Sequence, residues 1–228
     1  MDFKHFITRV KDILETYKVG RIFRITYDIT ANIVLFFIVT ALLLGIFAGG
    51  VGAGYFASLV KDEETRPYEE MRDDIYNYEE ISKLYFADNI YIGDIRSELH
   101  REEIKLEEMS DLVKQAVIAT EDELFYEHEG VVPKAIVRAL FQEVTNSAKQ
   151  TGGSTLTQQL IKNQILTNEV SFERKAKEIL LALRLENFFE KDEILEAYLN
   201  IVPYGREASG RNIAGIQAAA QGVFGVDA

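Results

Sequence analysis

The chain has 228 residues, 47% of them hydrophobic, with 25 Lys and Arg against 37 Asp and Glu and a formal net charge of −12. That acidic balance argues against nucleic acid as a partner. The absence of cysteine excludes disulfides and thiolate-held metals and fits an exported protein.

Residues 1–28 read as a tail that contains Lys4, Arg9, Lys11, Lys18, Arg21 and Arg24. From Ile29 to Val60 no Asp, Glu, Lys or Arg occurs, and Ile33 to Phe47 is nearly continuous Val, Leu, Ile and Phe. The run is long enough to cross a bilayer, so 29–60 is expected to be a transmembrane helix. A cleaved signal peptide would have a shorter apolar core closer to the amino terminus. Six of the 25 basic and four of the 37 acidic residues precede the run, which leaves 19 basic against 33 acidic, or −14, beyond Ile29. The amino terminus is therefore expected in the cytoplasm and the rest outside the cell membrane, in a single-pass arrangement. Gly45, Gly49, Gly50 and Gly54 give two small-xxx-small pairs that permit close helix approach, although a glycine-rich juncture without a partner fits equally.

Residues 61–108 read as a stalk followed by a hairpin. Lys61 to Glu80 is charged and Tyr-rich without clear period, consistent with a loosely held helix. Lys83 to Ile95 alternates aromatic and branched residues around Asp88-Asn89, which predicts two short strands joined by a turn. A third extended piece is expected at Ile104 to Leu106.

Residues 109–228 read as one mainly helical domain. Ser110 or Asp111 caps a helix ending near Thr120, which delivers Glu121 to its carboxyl end. A second helix follows Pro133, and Asn146 to Gly153 is a polar loop. A third helix starts at Ser154 or Thr155, a fourth spans about Phe172 to Phe189, and a fifth runs from Asp192 to Leu199.

On the third helix Thr155, Gln158, Gln159 and Lys162 share a polar face behind a Gly-Gly turn, an arrangement suited to an anionic oxygen. The same spacing fits a plain capping box of Thr155 and Gln158 with a solvated Lys162, and local pattern alone favours it. Arg174, Lys175 and Glu178 place two cations beside one acid, as a surface salt bridge would. Glu121 opens a cluster with Asp122, Glu123, Glu127, His128 and Glu129 that reads by default as an acidic loop. On its own pattern His128 reads as a packing or hydrogen-bonding residue. The spacing matches neither a His-Glu-x-x-His site nor an EF-hand.

Four ordered segments, Glu121-Asp-x-x-Phe-x-x-His-x-Gly130, Gly152-x-Ser-Thr-x-Thr-Gln-Gln159, Arg174-Lys-x-x-Glu178 and Ile194-Leu-Glu-x-Tyr-Leu-Asn200, resemble the first four motifs of the peptidoglycan glycosyltransferase domain. Asn212 to Gly225 resembles the fifth region. With the amino-terminal anchor and hairpin, the chain is similar to the front of class A penicillin-binding proteins, in which a transpeptidase domain follows. It ends short of the family's closing helical segment, so the domain is expected to be incomplete at its carboxyl end.

The resemblance implies a mainly α, lysozyme-like glycosyltransferase domain with a small β-hairpin appendage and one transmembrane helix. It implies polymerisation of lipid II into glycan strands by inverting displacement of undecaprenyl diphosphate. By motif position Glu121 is the general base and Glu178 a second acid near the diphosphate. Asp122, Phe125, His128, Ser154, Thr155, Gln158, Gln159, Lys162, Arg174 and Lys175 are carried over as substrate-binding. No cofactor is required, and a divalent Mg or Mn ion at the diphosphate is left open. Implied partners are lipid II, the growing strand, the membrane, and proteins of cell-wall synthesis or division. Val131-Val-Pro and Ile136 to Phe141 resemble the family's lipid-facing jaw, with core burial equally open. Relatives often carry a basic residue before Arg174; Asn168-Glu-Val170 has none, which leaves some donor-site charge to Arg184 or Arg206. Two other functions remain: a membrane-anchored muramidase and a non-catalytic scaffold that binds lipid diphosphates.

Overall fold

The computed structural model describes residues 3–16, 19–77, 82–95, 98–144, 153–166, 169–206 and 210–228, and it divides into two compact units, Met1–Ser58 and Leu59–Ala228. The first unit holds α1 (Phe3–Thr16) and nearly all of α2 (Val19–Leu59). α2 starts ten residues before the uncharged run, because Arg21, Arg24 and Asp28 limit burial in lipid without interrupting a helix. At 1.5 Å per residue its 41 residues extend about 60 Å, twice the hydrocarbon thickness of a bilayer. Gly20–Leu59 is long and apolar enough to cross one. Nothing lies within 4 Å of the positions that a Cβ would take at Gly45, Gly49, Gly50 and Gly54.

The second unit corrects the expected stalk. Within it, α3 (Tyr68–Tyr76) carries Met71 and Ile75, both fully buried in the main core. The ring of Tyr68 stacks on Phe189 at 5.0 Å, and the Gln164 side chain donates to the Ile75 carbonyl at 3.1 Å. Two apolar residues four apart are enough to dock a nine-residue helix that its many charges made look solvated. Tyr78 to Ile81 lie outside the described residues.

The hairpin forms as expected, with β1 (Lys83–Tyr85) antiparallel to β2 (Tyr91–Asp94) and Asn89 at φ +57° in the turn. The extended piece expected at Ile104 to Leu106 pairs with no strand. Its backbone is instead met by side chains of α8 (Lys191–Ile201): Asn200 accepts from Ile104 N–H and donates to Ile104 C=O, both at 3.0 Å, and Glu196 accepts from Leu106 N–H at 2.7 Å. A single 3₁₀ turn, Leu106–Glu108, follows.

The remaining helices are α4 (Asp111–Glu121), α5 (Pro133–Val144), α6 (Leu156–Gln164) and α7 (Phe172–Phe188), each within three residues of its expected limits. The polar loop expected at Asn146 to Gly153 lies outside the described residues up to Gly152. A second sheet is new: β3 (Leu99–His100) runs parallel to β5 (Asn212–Ala214), which pairs antiparallel with β4 (Pro203–Arg206). A short α9 (Ile216–Ala219) and a π turn over Ala220–Phe224 end the chain.

α6 is the hub, packing on both α7 and α8. Leu156, Leu160 and Ile161 of α6, Leu181 and Leu185 of α7, and Ile194, Leu195 and Leu199 of α8 are all fully buried in one cluster with Phe125 and the α3 pair. Ile75→Ala is therefore expected to lower the unfolding free energy by about 2–4 kcal/mol. Urea unfolding in detergent measures this, and a loose stalk would leave the midpoint unchanged.

Candidate active site

The start of α6 organises the site. Thr155 is its N-cap: its hydroxyl accepts from Gln158 N–H at 3.1 Å while the Gln158 side chain accepts from Thr155 N–H at 3.0 Å, the reciprocal capping box that the spacing allowed. The same hydroxyl donates to the Gly130 carbonyl at 2.6 Å. The next amide, Leu156 N–H, donates to the carboxylate of Asp122 at 3.0 Å. Asp122 also pairs with His128 Nε2 at 2.8 Å, and His128 Nδ1 accepts from Gly130 N–H at 3.0 Å. Because Nδ1 accepts, the ring proton resides on Nε2 and points at Asp122.

The capping box that local pattern favours is therefore present, and Asp122 supplies the negative charge that a helix N-terminus favours. Asp122, Thr155 and Gln158 are buried, and Phe125 is fully so. These four, carried over as substrate-binding, lie in the interior beside α6, and His128 joins them through its hydrogen bonds. Glu123, Glu127 and Glu129 are exposed, as an acidic loop would be.

Glu121 is the last residue of α4 and, unlike its neighbour, faces solvent. Its Oε2 accepts from the Gln159 side-chain amide at 3.0 Å, and Gln159 Oε1 accepts from Tyr198 O–H at 3.2 Å. Burial first, and the Glu121 charge second, hold the Tyr198 phenol far above its usual range and push that of Tyr204 up to about 12. The carboxylate therefore sits beside two neutral phenols at ordinary pH, one on α8 and one on β4.

The second acid is different. Glu178 is 2% exposed and takes Arg174 Nη1 at 2.7 Å and Lys175 Nζ on its two oxygens. Lys175 also donates to Ser154 Oγ at 2.8 Å. The group is no surface salt bridge, since the carboxylate lies in the interior with both oxygens met by cations. Ser154 and Gln159 are five residues apart in sequence, so both acids are tied to the segment that opens α6.

Lys162 stands apart. It is exposed, makes no ion pair among the described residues, and lies on α6 about 10 Å along the axis from Thr155, next to Gln159 at i,i+3. Of the two alternative cations, Arg184 donates to the Glu64 carbonyl at 3.1 Å and Arg206 to Asn212 Oδ1 at 3.0 Å. In the region likened to a jaw, Val131 packs on the core and Ala135 is buried while Val137 is exposed, and the side chains of Leu140 and Phe141 lie outside the description.

A family model described as transglycosylase matches residues 88–228, a range that contains every site residue named above. The chain belongs to the transglycosylase family. It is 39% identical over 192 residues, 82% of its length, to penicillin-binding protein 1A of Clostridium perfringens strain 13, of which it covers 27%. It is 38% identical to penicillin-binding protein 1A of Haemophilus influenzae over 86% of its length, and 35% identical to penicillin-binding protein 1A/1B of Bacillus subtilis over 84%, covering 20% of each. The chain thus spans about a quarter or less of the curated relatives named here.

Sequence reasoning missed several residues that the structure places beside these groups. Lys191 donates to the His128 carbonyl at 2.6 Å and to Glu186 at 2.7 Å, and its ammonium lies 4.7 Å from the centre of the Phe125 ring. Glu186 also accepts from Thr157 at 2.6 Å. Tyr204 was missed as well, and its strand gave no periodic signal. Glu121→Gln removes the charge near the tyrosines but not the desolvation of their hydroxyls, which persists at Tyr204 although its side chain is 39% exposed. The Tyr204 phenol is then expected to titrate below about 12 and still above the ordinary 10. Alkaline difference absorbance of phenolate against the parent chain reads this, and identical titrations would place the carboxylate away from the tyrosines.

Proposed function

We propose that the domain polymerises a lipid-diphosphate disaccharide into glycan, with Glu121 as base and the Arg174, Lys175 and Ser154 group as the diphosphate site. The observation that carries this reading is the unequal state of the two acids: Glu121 is exposed and its hydrogen-bond donor is a neutral amide, whereas Glu178 is buried and saturated by cations.

An acceptor hydroxyl attacks the anomeric carbon of the donor as the bond from that carbon to the diphosphate oxygen breaks. The hydroxyl proton passes to the Glu121 carboxylate, and the electron pair leaves with the diphosphate. A single displacement of this kind inverts the anomeric centre. A glycosidase needs a carboxylic acid to protonate a poor leaving alkoxide. Diphosphate leaves without one when cations offset its charge, which is the part of Arg174 and Lys175. Lys175 already holds a hydroxyl oxygen, that of Ser154, which a phosphate oxygen can replace or join. Glu178 in this scheme aims the two cations and touches no reacting atom. Lys162, on the Gln159 side of α6, meets the donor further along its length. The scheme requires no metal; a Mg or Mn ion would arrive with the diphosphate.

Both substrates carry lipid tails, so a domain held by α2 with its amino terminus in the cytoplasm works at the outer face of the membrane. The names and lengths of the relatives support reading the chain as the amino-terminal part of a bifunctional penicillin-binding protein.

Glu121→Gln is expected to lower lipid II polymerisation by about 10²–10⁴-fold, the range for a lost general base. Binding of a lipid-diphosphate mimic is expected to persist, and Lys175→Met to weaken that binding. The assay is gel analysis of glycan chains made by the membrane-reconstituted chain. Unchanged turnover in Glu121→Gln overturns the base assignment, and release of fragments from polymeric glycan in place of chain growth would make the protein a muramidase.

A further inference from the structure

The unit of residues 1–58 contains an amphipathic helix that the proposed reaction leaves unused. α1 places Phe3, Phe6, Ile7, Val10, Ile13 and Leu14 at spacings of three, four and seven, within an arc of about 120°. All six are exposed, from 37% at Val10 to 75% at Phe3, and α1 buries no residue. Lys4 and Lys11 border this arc on one side and Arg9 on the other, with Asp12 on the opposite face.

A helix with one long unpartnered apolar stripe is not at rest in water. Its fourteen residues reach about 21 Å, too short and too charged to cross a bilayer. It ends at Thr16, and α2 begins at Val19, so only two residues separate α1 from the helix whose uncharged run enters the bilayer at Ile29. The cations at both edges of the stripe, with Lys18, Arg21 and Arg24 beyond it, complement an anionic surface.

We infer that α1 is an interfacial helix lying in the cytoplasmic leaflet, its apolar arc among acyl chains and Lys4, Arg9 and Lys11 reaching outward to anionic lipid headgroups. The inference rests on the reading of α2 as a membrane anchor.

The 228 residues include no cysteine, so single nitroxide labels can be placed cleanly in this chain. Phe6→Cys, Val10→Cys and Ile13→Cys sample the arc, Thr8→Cys and Asp12→Cys the polar face, and Leu43→Cys the anchor. The labelled proteins are reconstituted into phosphatidylcholine vesicles with or without phosphatidylglycerol, and collision with oxygen is compared with collision with a water-soluble nickel chelate. The arc labels are expected to favour oxygen several-fold over the polar-face labels, more strongly with phosphatidylglycerol. Arg9→Glu with Lys11→Glu is expected to abolish that gain. Arc labels as open to nickel as the polar-face labels, with the label at 43 in lipid, overturn the inference and leave the anchor standing. Nickel access at 43 sinks the anchor reading itself. Shielding of the arc from both reagents means that protein covers it and overturns the lipid occupant, and equal contrast in both vesicle types overturns anionic recognition.

Discussion

A single carboxylate, that of Asp122, fixes the geometry on which the site depends. A buried acid must find donors for its oxygens, and Asp122 finds them in the first turn of α6 and the His128 ring. Hydrogen bonds to a charged group contribute about 1.5–3 kcal/mol each. Because His128 and Gly130 bond to each other and Gly130 to Thr155, the loop from 122 to 130 is closed onto the helix at both ends. Glu121, one residue earlier, is thereby held at the rim, with little freedom except in its own side chain. The buried acid positions the exposed one.

Glu121 and Glu178 divide along the same line of burial. Withdrawing Arg174 and Lys175 from Glu178 would strand a charge in the interior, so the cations are retained whether or not a ligand is near. Their positive ends are a fixed field rather than a response to substrate, which is what stabilisation of a departing anion requires. Glu121 has no cationic partner among the described residues, so a proton arriving there displaces only a neutral amide.

Helices and motifs were legible in the sequence because both are written in local spacing. The limits of α5, α6 and α7 followed from Pro133, from the Thr155 cap and from apolar residues at i, i+3 and i+4. Local pattern favoured the capping box at Thr155, which formed, but it could not show that the next amide goes to Asp122, 34 residues away. The stalk misled because nine residues bury only two side chains, and at that length charge dominates composition. The sheet of β3, β4 and β5 was invisible: strands of two to four residues with Pro203 and Gly205 show no alternation, and β3 pairs with β5 more than a hundred residues later. Asn200 and Glu196, legible as motif letters, proved to stand in for a missing strand.

Gly130 adopts φ +86°, and a Cβ added there would lie 2.6 Å from the carbonyl oxygen of Ala182. With its N–H given to His128 and its C=O to Thr155, no atom of the residue is idle. A new side chain at Glu123, Glu127 or Glu129 would meet solvent, whereas any side chain at position 130 would strike the backbone of α7, so this one turn tolerates only a residue without a Cβ.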